Sequence, residues 1–149
     1  MKEHKHLGVY GLMIRDEKIL LIKKVTGPYD GKLDLPGGTI EFGEVPEDTL
    51  KREFLEETGI KIVDYQLFDV DSVLVDWEYQ QDILVKVHHI GIFYRILEYE
   101  NDIQNKIEID GKNDDSLGSE FYSIKELERD KLSSIAILEL EKLGYELRK

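Results

Sequence analysis

Cysteine is absent from this chain, which excludes a disulfide framework, a thiolate metal site and a cysteine nucleophile. Proline occurs three times, at Pro28, Pro36 and Pro46, so no proline-rich linker divides the sequence. No apolar run approaches the roughly 20 residues needed to span a bilayer. The opening MKEHKHLGVYG holds no apolar stretch of signal-peptide length. Positive charge is also in deficit. Lys and Arg number 20 against 32 Asp and Glu, a net charge of −12 and the reverse of the basic footprint that nucleic acid requires. What remains is one domain over residues 1–149, expected in the cytoplasm with neither membrane nor nucleic acid as partner. Its length leaves monomer and homodimer both open.

Hydrophobic residues make up 41% of the chain and charged residues 35%, enough to build a core under a wet surface. Leu7 to Ile14 and Ile19 to Ile22 are apolar on either side of Asp16-Glu17, a pattern that predicts a hairpin. Thr26 to Gly31 is a loop by its turn residues, and Lys32 to Leu35 a short strand closed by Pro36. Ile60 to Val75 and Ile83 to Leu97, rich in Val, Ile, Phe and Tyr, read as long strands. Glu98 to Gly118 reads as a long polar loop, and Glu120 to Ile124 as a strand. Ile124 to Arg129 and Ser134 to Leu143 read as helices. This order predicts an α/β architecture, a mixed sheet between helical layers.

Between the strands, Pro46 to Thr58 has helical character. Proline suits the first helical position, Glu47 and Asp48 complement the dipole, and Gly59 follows as a cap. Glu53, Glu56 and Glu57 stand at i, i+3 and i+4, on one face of that helix. Three carboxylates so close are mutually destabilising unless something positive lies among them. Hard divalent cations such as Mg²⁺ take oxygen ligands and would answer that need. Alone, the cluster reads more simply as a solvated acidic face.

Its surroundings decide between the two. Gly38, five residues, Glu44, seven residues, then Arg52-Glu53-Phe54-Leu55-Glu56-Glu57-Thr58-Gly59-Ile60 is similar at every position to the signature of the Nudix hydrolases. A chance match is of order one in 10⁸ by average residue usage. The resemblance implies an α/β/α sandwich in which the motif forms a loop–helix–loop that binds divalent metal, Mg²⁺ or Mn²⁺. It implies Glu53, Glu56 and Glu57 as metal ligands with the Gly38 carbonyl, Glu44 as a supporting carboxylate, and Arg52 as the cation that holds them. The implied activity is metal-dependent hydrolysis of a phosphoanhydride in a small nucleotide, either a triphosphate or a nucleotide sugar. No proline follows the motif, which disfavours the family's ADP-ribose pattern. The alternatives are a non-catalytic nucleotide-binding or sensor module of the same fold, and an isopentenyl diphosphate isomerase. The module would be expected to lose some of the glutamates, and the isomerase needs a cysteine.

Outside the motif the candidates rest on residue type and place. Glu53 or Glu56 could serve as general base, as could Asp114, Asp115 or Glu120 in the acidic segment NDDSLGSEFYSI, with Asp115 ahead. Lys23, Lys24 and Lys32 near the glycine loop, and Gly37 within it, are candidates for phosphate contact. Trp77, with Tyr79 and Gln80, could stack on a base, although packing explains an aromatic there equally well. His88 and His89 alternate in a strand and have no partners for zinc, so packing or exposure is expected for both. Tyr10, Phe93 and Tyr94 read as core.

Overall fold

Alternating burial along a few apolar strands organises the molecule around two faces. The computed structural model describes residues 2–100 and 116–149. In chain order it contains β1 (Lys2–Leu12), β2 (Ile14–Arg15), β3 (Lys18–Lys24), β4 (Leu33–Asp34), β5 (Gly37–Thr39), α1 (Pro46–Thr58), β6 (Lys61–Gln80), β7 (Ile83–Glu100), β8 (Ser116–Ser123) and α2 (Ser134–Lys142). One sheet has the order β5-β1-β7-β6, and a second joins β2, β3 and β4 with β8 on β3. The first is mixed. β1 runs parallel to β7 in unbroken register from Lys2↔Val85 to Leu12↔Arg95, while β5 and β6 pair antiparallel to their neighbours.

Successive residues of β1 and β3 enter different cores. Val9, Met13 and Leu20 pack with Leu50 and Phe54 of α1. Tyr10, Leu12, Ile19 and Leu21 pack with Ile135, Ala136 and Leu140 of α2. The strands thus lie between two helices, the predicted α/β layering. Burying Leu50 and Phe54 fully stabilises the α1 layer by roughly 1.5–3 kcal/mol for each side chain. Gly11 makes room for it, because a Cβ there would stand 2.3 Å from the Phe54 ring.

The ends of α1 follow its sequence. Pro46 opens it, Glu47 and Asp48 occupy its first turn, and Gly59 caps it in the left-handed conformation at φ 77°. The two long strands also form, and extend to Gln80 and Glu100. Two expectations need correction. The hairpin across Asp16-Glu17 is made by the short β2, with Ile14 opposite Ile19, while β1 leaves for the other sheet. Ile124 to Arg129 is not a helix but a 3₁₀ turn at Ile124–Glu126 followed by a second at Arg129–Lys131. Its polar residues offer too narrow an apolar stripe to hold a longer helix down. Among the described residues no helix is long and apolar enough to cross a membrane.

α2 carries an unusual group on its inner face. Glu139 is fully buried beside the Asp69 carboxylate, which shares a hydrogen bond with it when it is protonated. Burial first, then the neighbouring Asp69 carboxylate, push its pKa up to about 8. A raised acid favours folding when protonated, so its contribution is complete below the ordinary value near 4.5 and is lost as pH rises through about 8. Urea melts at pH 6.5 and 8.5 should therefore show the stability difference between the unaltered chain and Glu139→Gln falling by up to about 1 kcal/mol per pH unit. A difference that stays constant across that range would mean Glu139 is ionised in the fold.

Candidate active site

The glycine-rich turn and α1 bring backbone and carboxylates into contact because two residues lack side chains. Gly37 lies at φ 147°, and a Cβ there would stand 2.1 Å from the Val9 carbonyl oxygen. Its N–H donates to Glu57 Oε1 at 2.7 Å, fixing a carboxylate that is only 3% exposed. At Gly38 a Cβ would stand 2.6 Å from the Glu53 carboxyl carbon, so glycine there lets that carboxylate lie against the main chain.

Arg52 binds the remaining acids. Its Nε and Nη2 fork onto Glu44 at 2.8 and 3.0 Å. Its Nη1 reaches Glu53 Oε1 at 2.8 Å and Glu56 Oε2 at 3.4 Å. Nη2 also donates to the Thr39 carbonyl at 3.2 Å, which ties the helix to the end of β5. Hydrogen bonds from Arg52, then from Thr49, draw the Glu44 pKa down to about 2. The guanidinium itself is raised above its already high value, chiefly by Glu44.

These groups form one side of a cavity of about 470 Å³, where Glu53, Glu56 and Glu57 meet Gly37 and Gly38. Across it stand His6, Tyr10, Tyr29, Val87 and His89, with Lys24 and the 26–28 loop at the rim. The charged side offers oxygen donors alone, which suits a hard divalent cation. Among the described residues, no three acidic or imidazole groups already converge on one point. Instead Arg52 and the Gly37 amide engage the carboxylate oxygens.

The rest of the lining is aromatic and imidazole around one buried carboxylate, Asp34, and the Lys24 ammonium. His89 is 2% exposed, and its two ring nitrogens meet the Tyr10 and Tyr29 hydroxyls at 2.6 and 2.8 Å. Burial, then His6 and Lys24, pull its pKa down to about 3, leaving a neutral ring. His6 stacks on it, with centroids 4.7 Å apart and planes inclined by 13°, and shares a 2.7 Å hydrogen bond with the Thr39 hydroxyl. Beneath Tyr29, buried Asp34 accepts from the Ser133 hydroxyl at 2.6 Å, and Ser133 caps α2.

Of the residues singled out in the sequence, Lys24, Gly37, Gly38, Glu53, Glu56 and Glu57 line the cavity, and Arg52 and Glu44 brace its acids. Others lie off the lining or outside the described residues. Trp77 stands on β6 opposite Val85, edge-on to Tyr79, and is not among the residues lining the cavity, because β6 continues as strand to Gln80. Lys32 sits just beyond the lining, its main chain bonded to Lys24 and Tyr29. Glu120 is exposed on β8 opposite Leu21 and is not among the lining residues. Asp114 and Asp115 lie outside the described residues. The sequence did not single out His6 or Tyr29; it placed His89 by packing and Tyr10 in the core, where both are buried, and both also line the cavity. The period-two pattern carried a signal, since His6 and Tyr10 share a face of β1, as Val87, His89 and Phe93 do on β7.

Comparison with known proteins bears on this geometry. The NUDIX domain family profile matches residues 4–140. An ADP-ribose pyrophosphatase of Methanocaldococcus jannaschii is 46% identical over 57 residues, covering 38% of this chain and 34% of that protein. An 8-oxo-dGTP diphosphatase of Haemophilus influenzae is 36% identical over 70 residues, 45% of this chain and 52% of that protein. The chain thus spans between a third and about half the length of these curated relatives. Among solved structures, a MutT NUDIX hydrolase from Burkholderia pseudomallei superposes with a TM-score of 0.75 at 22% identity, covering 94% of this chain and 98% of the other. That likeness concerns the fold.

If Arg52 is the clamp described, its removal should strand three carboxylates together. Arg52→Met in chelator at pH 7 should lose about 1–3 kcal/mol, a figure discounted from fully buried pairs because the group is 24% exposed. Part of the loss should return on adding Mg²⁺ and part on lowering the pH toward 4. Denaturant melts read all three effects, and a variant as stable as the unaltered chain would show that the guanidinium holds nothing.

Proposed function

Because the chain belongs to the NUDIX family, we propose that its cavity hydrolyses the phosphoanhydride bond of a small nucleotide, a nucleoside triphosphate or a nucleotide sugar. The observation that carries this reading is the convergence of Glu53, Glu56 and Glu57 with the Gly37-Gly38 turn on one side of a single cavity, with Lys24 at its rim. An acidic protein that binds a polyanion needs positive charge at that side, and Lys24 alone is too little for a diphosphate.

Glu53, Glu56 and Glu57, with the Gly38 carbonyl, are the residues that would hold a divalent cation, Mg²⁺ or Mn²⁺. When bound, the cation supplies neutralisation of the diphosphate and activation of water for attack. The chain's own groups supply the rest. Gly37 and Gly38 present main chain without side chains, so a phosphate can approach closely. Lys24 offers its ammonium to the outer phosphate oxygens. The Glu56 carboxylate, held by Arg52 more loosely than Glu53 is, takes the proton from the attacking water. The water oxygen bonds to phosphorus in line as the bridging P–O bond breaks, and the bridging oxygen leaves with the second phosphate. Arg52 keeps Glu44 ionised and holds Glu53 in place throughout.

The experiment is a panel of nucleoside triphosphates, nucleotide sugars, ADP-ribose and 8-oxo-dGTP, with products resolved by chromatography. Turnover should vanish in excess chelator, return with Mg²⁺ or Mn²⁺, and return only weakly with Ca²⁺, whose looser coordination fits the reaction poorly. Full turnover in chelator would end the metal-dependent reading.

Glu56→Gln should fold normally and lose several orders of magnitude in kcat, because it removes a charge at constant size. A Glu56→Gln protein with near-normal kcat would move the proton acceptor elsewhere, to Glu53 or to Asp115.

A further inference from the structure

The neutral wall of the cavity has no part in the chemistry above, yet it is built with care. A neutral imidazole has one N–H and one lone pair, and both His89 nitrogens are engaged by tyrosine hydroxyls, Tyr10 at Nε2 and Tyr29 at Nδ1. The ring can therefore neither tilt nor flip without breaking a buried hydrogen bond. His6 is aligned on it by register as well as by stacking, since His6 and His89 are direct partners across the parallel β1–β7 pair. Its own nitrogen is tied to Thr39, one residue from Gly38, so the stacked pair begins where the carboxylate side ends.

The outer side of His6 is open to the cavity for a topological reason. β5 pairs with β1 over Gly8 to Tyr10 and the main chain follows as far as Leu7, whose carbonyl accepts from Ile40 at 3.4 Å, so among the described residues no strand pairs with His6 on that edge. His6 accordingly remains half-buried in a strand whose inner residues are closed. Burial, His4 and Lys24 all lower its pKa, which favours an uncharged ring. A fixed, stacked, planar surface within an acidic protein suits a neutral planar heterocycle.

We propose that the His6–His89 stack, held by Tyr10 and Tyr29, is the surface on which the base of the substrate lies, with His6 in contact and His89 as its positioning residue. The inference rests on the reading of the cavity as a nucleotide site and assigns the half of the substrate that does not react. It makes selection for nucleotides over simple polyphosphates a property of this wall.

The test separates base from phosphate. Titration calorimetry in Mg²⁺ with AMP, GMP and inorganic pyrophosphate compares the unaltered chain with His6→Ala and His6→Phe. Stacking on one aromatic side chain corresponds to about 5- to 150-fold in affinity. His6→Ala should lose that factor for AMP and GMP while pyrophosphate stays within about two-fold, and His6→Phe should restore nucleotide binding because it keeps a flat ring. In turnover the His6→Ala loss should appear in KM and leave kcat nearly unchanged. Equal loss for nucleotides and pyrophosphate, or no loss for either, would overturn the wall. A chain that binds in the expected pattern but hydrolyses nothing in the panel supports the wall and overturns the catalytic reading. Hydrolysis with both variants binding like the unaltered chain overturns the wall alone.

Discussion

Three of the acids on the charged side of the cavity are held by one guanidinium. Arg52 projects from the same helix as Glu53 and Glu56 and forks back onto Glu44 in the loop before that helix. Without it the helix would carry close carboxylates with no counter-charge, and only the Thr49 hydroxyl would tie Glu44 to the helix. A lysine could neutralise one acid but could not span three, because the planar fork is what lets one cation bridge several oxygens at once. The fifth contact, to the Thr39 carbonyl, passes that constraint to β5 and so to the edge of the main sheet.

The sheet supplies the opposite constraint. β1 and β7 alternate between the two helical layers, so each strand contributes every second residue to the cavity and the rest to the outer face. At its upper end the cavity-facing set is polar and aromatic, and deeper down it becomes core, with Tyr10 stacked on Phe93. Tyr10 therefore belongs to both, its ring among the core residues and its hydroxyl on His89. One side of the cavity is ionic and adjustable, the other neutral and fixed by buried hydrogen bonds. That difference suits one side to charge and the other to shape.

How much of this could be read from the residues follows from the range of the interactions. The α1 segment was legible in full because its signals are local: proline at the start, acids in the first turn, glycine at the cap, carboxylates three and four residues apart. The long strands were legible from composition. The cavity's neutral side was not, because His6 and His89 lie 83 positions apart in the numbering and meet only through a parallel pairing that no local pattern announces. The place of Trp77 was hidden for the complementary reason, since the polar segment around it is held as strand by pairing with β7. Ile124 to Arg129 failed because short helical patterns need a tertiary partner to propagate.

The unbroken register between β1 and β7 has a consequence for how this chain can vary. Since side chains alternate strictly, a single inserted or deleted residue before Gly8 would exchange the two faces of the strand's outer half. Leu7 or Lys5 would then face His89, and an imidazole would face outward. A substitution at position 6 changes one contact, whereas an altered spacing replaces the whole surface at once. Descendants of this sequence can thus explore new ligands residue by residue along these strands, while the length of each strand is inherited as a unit.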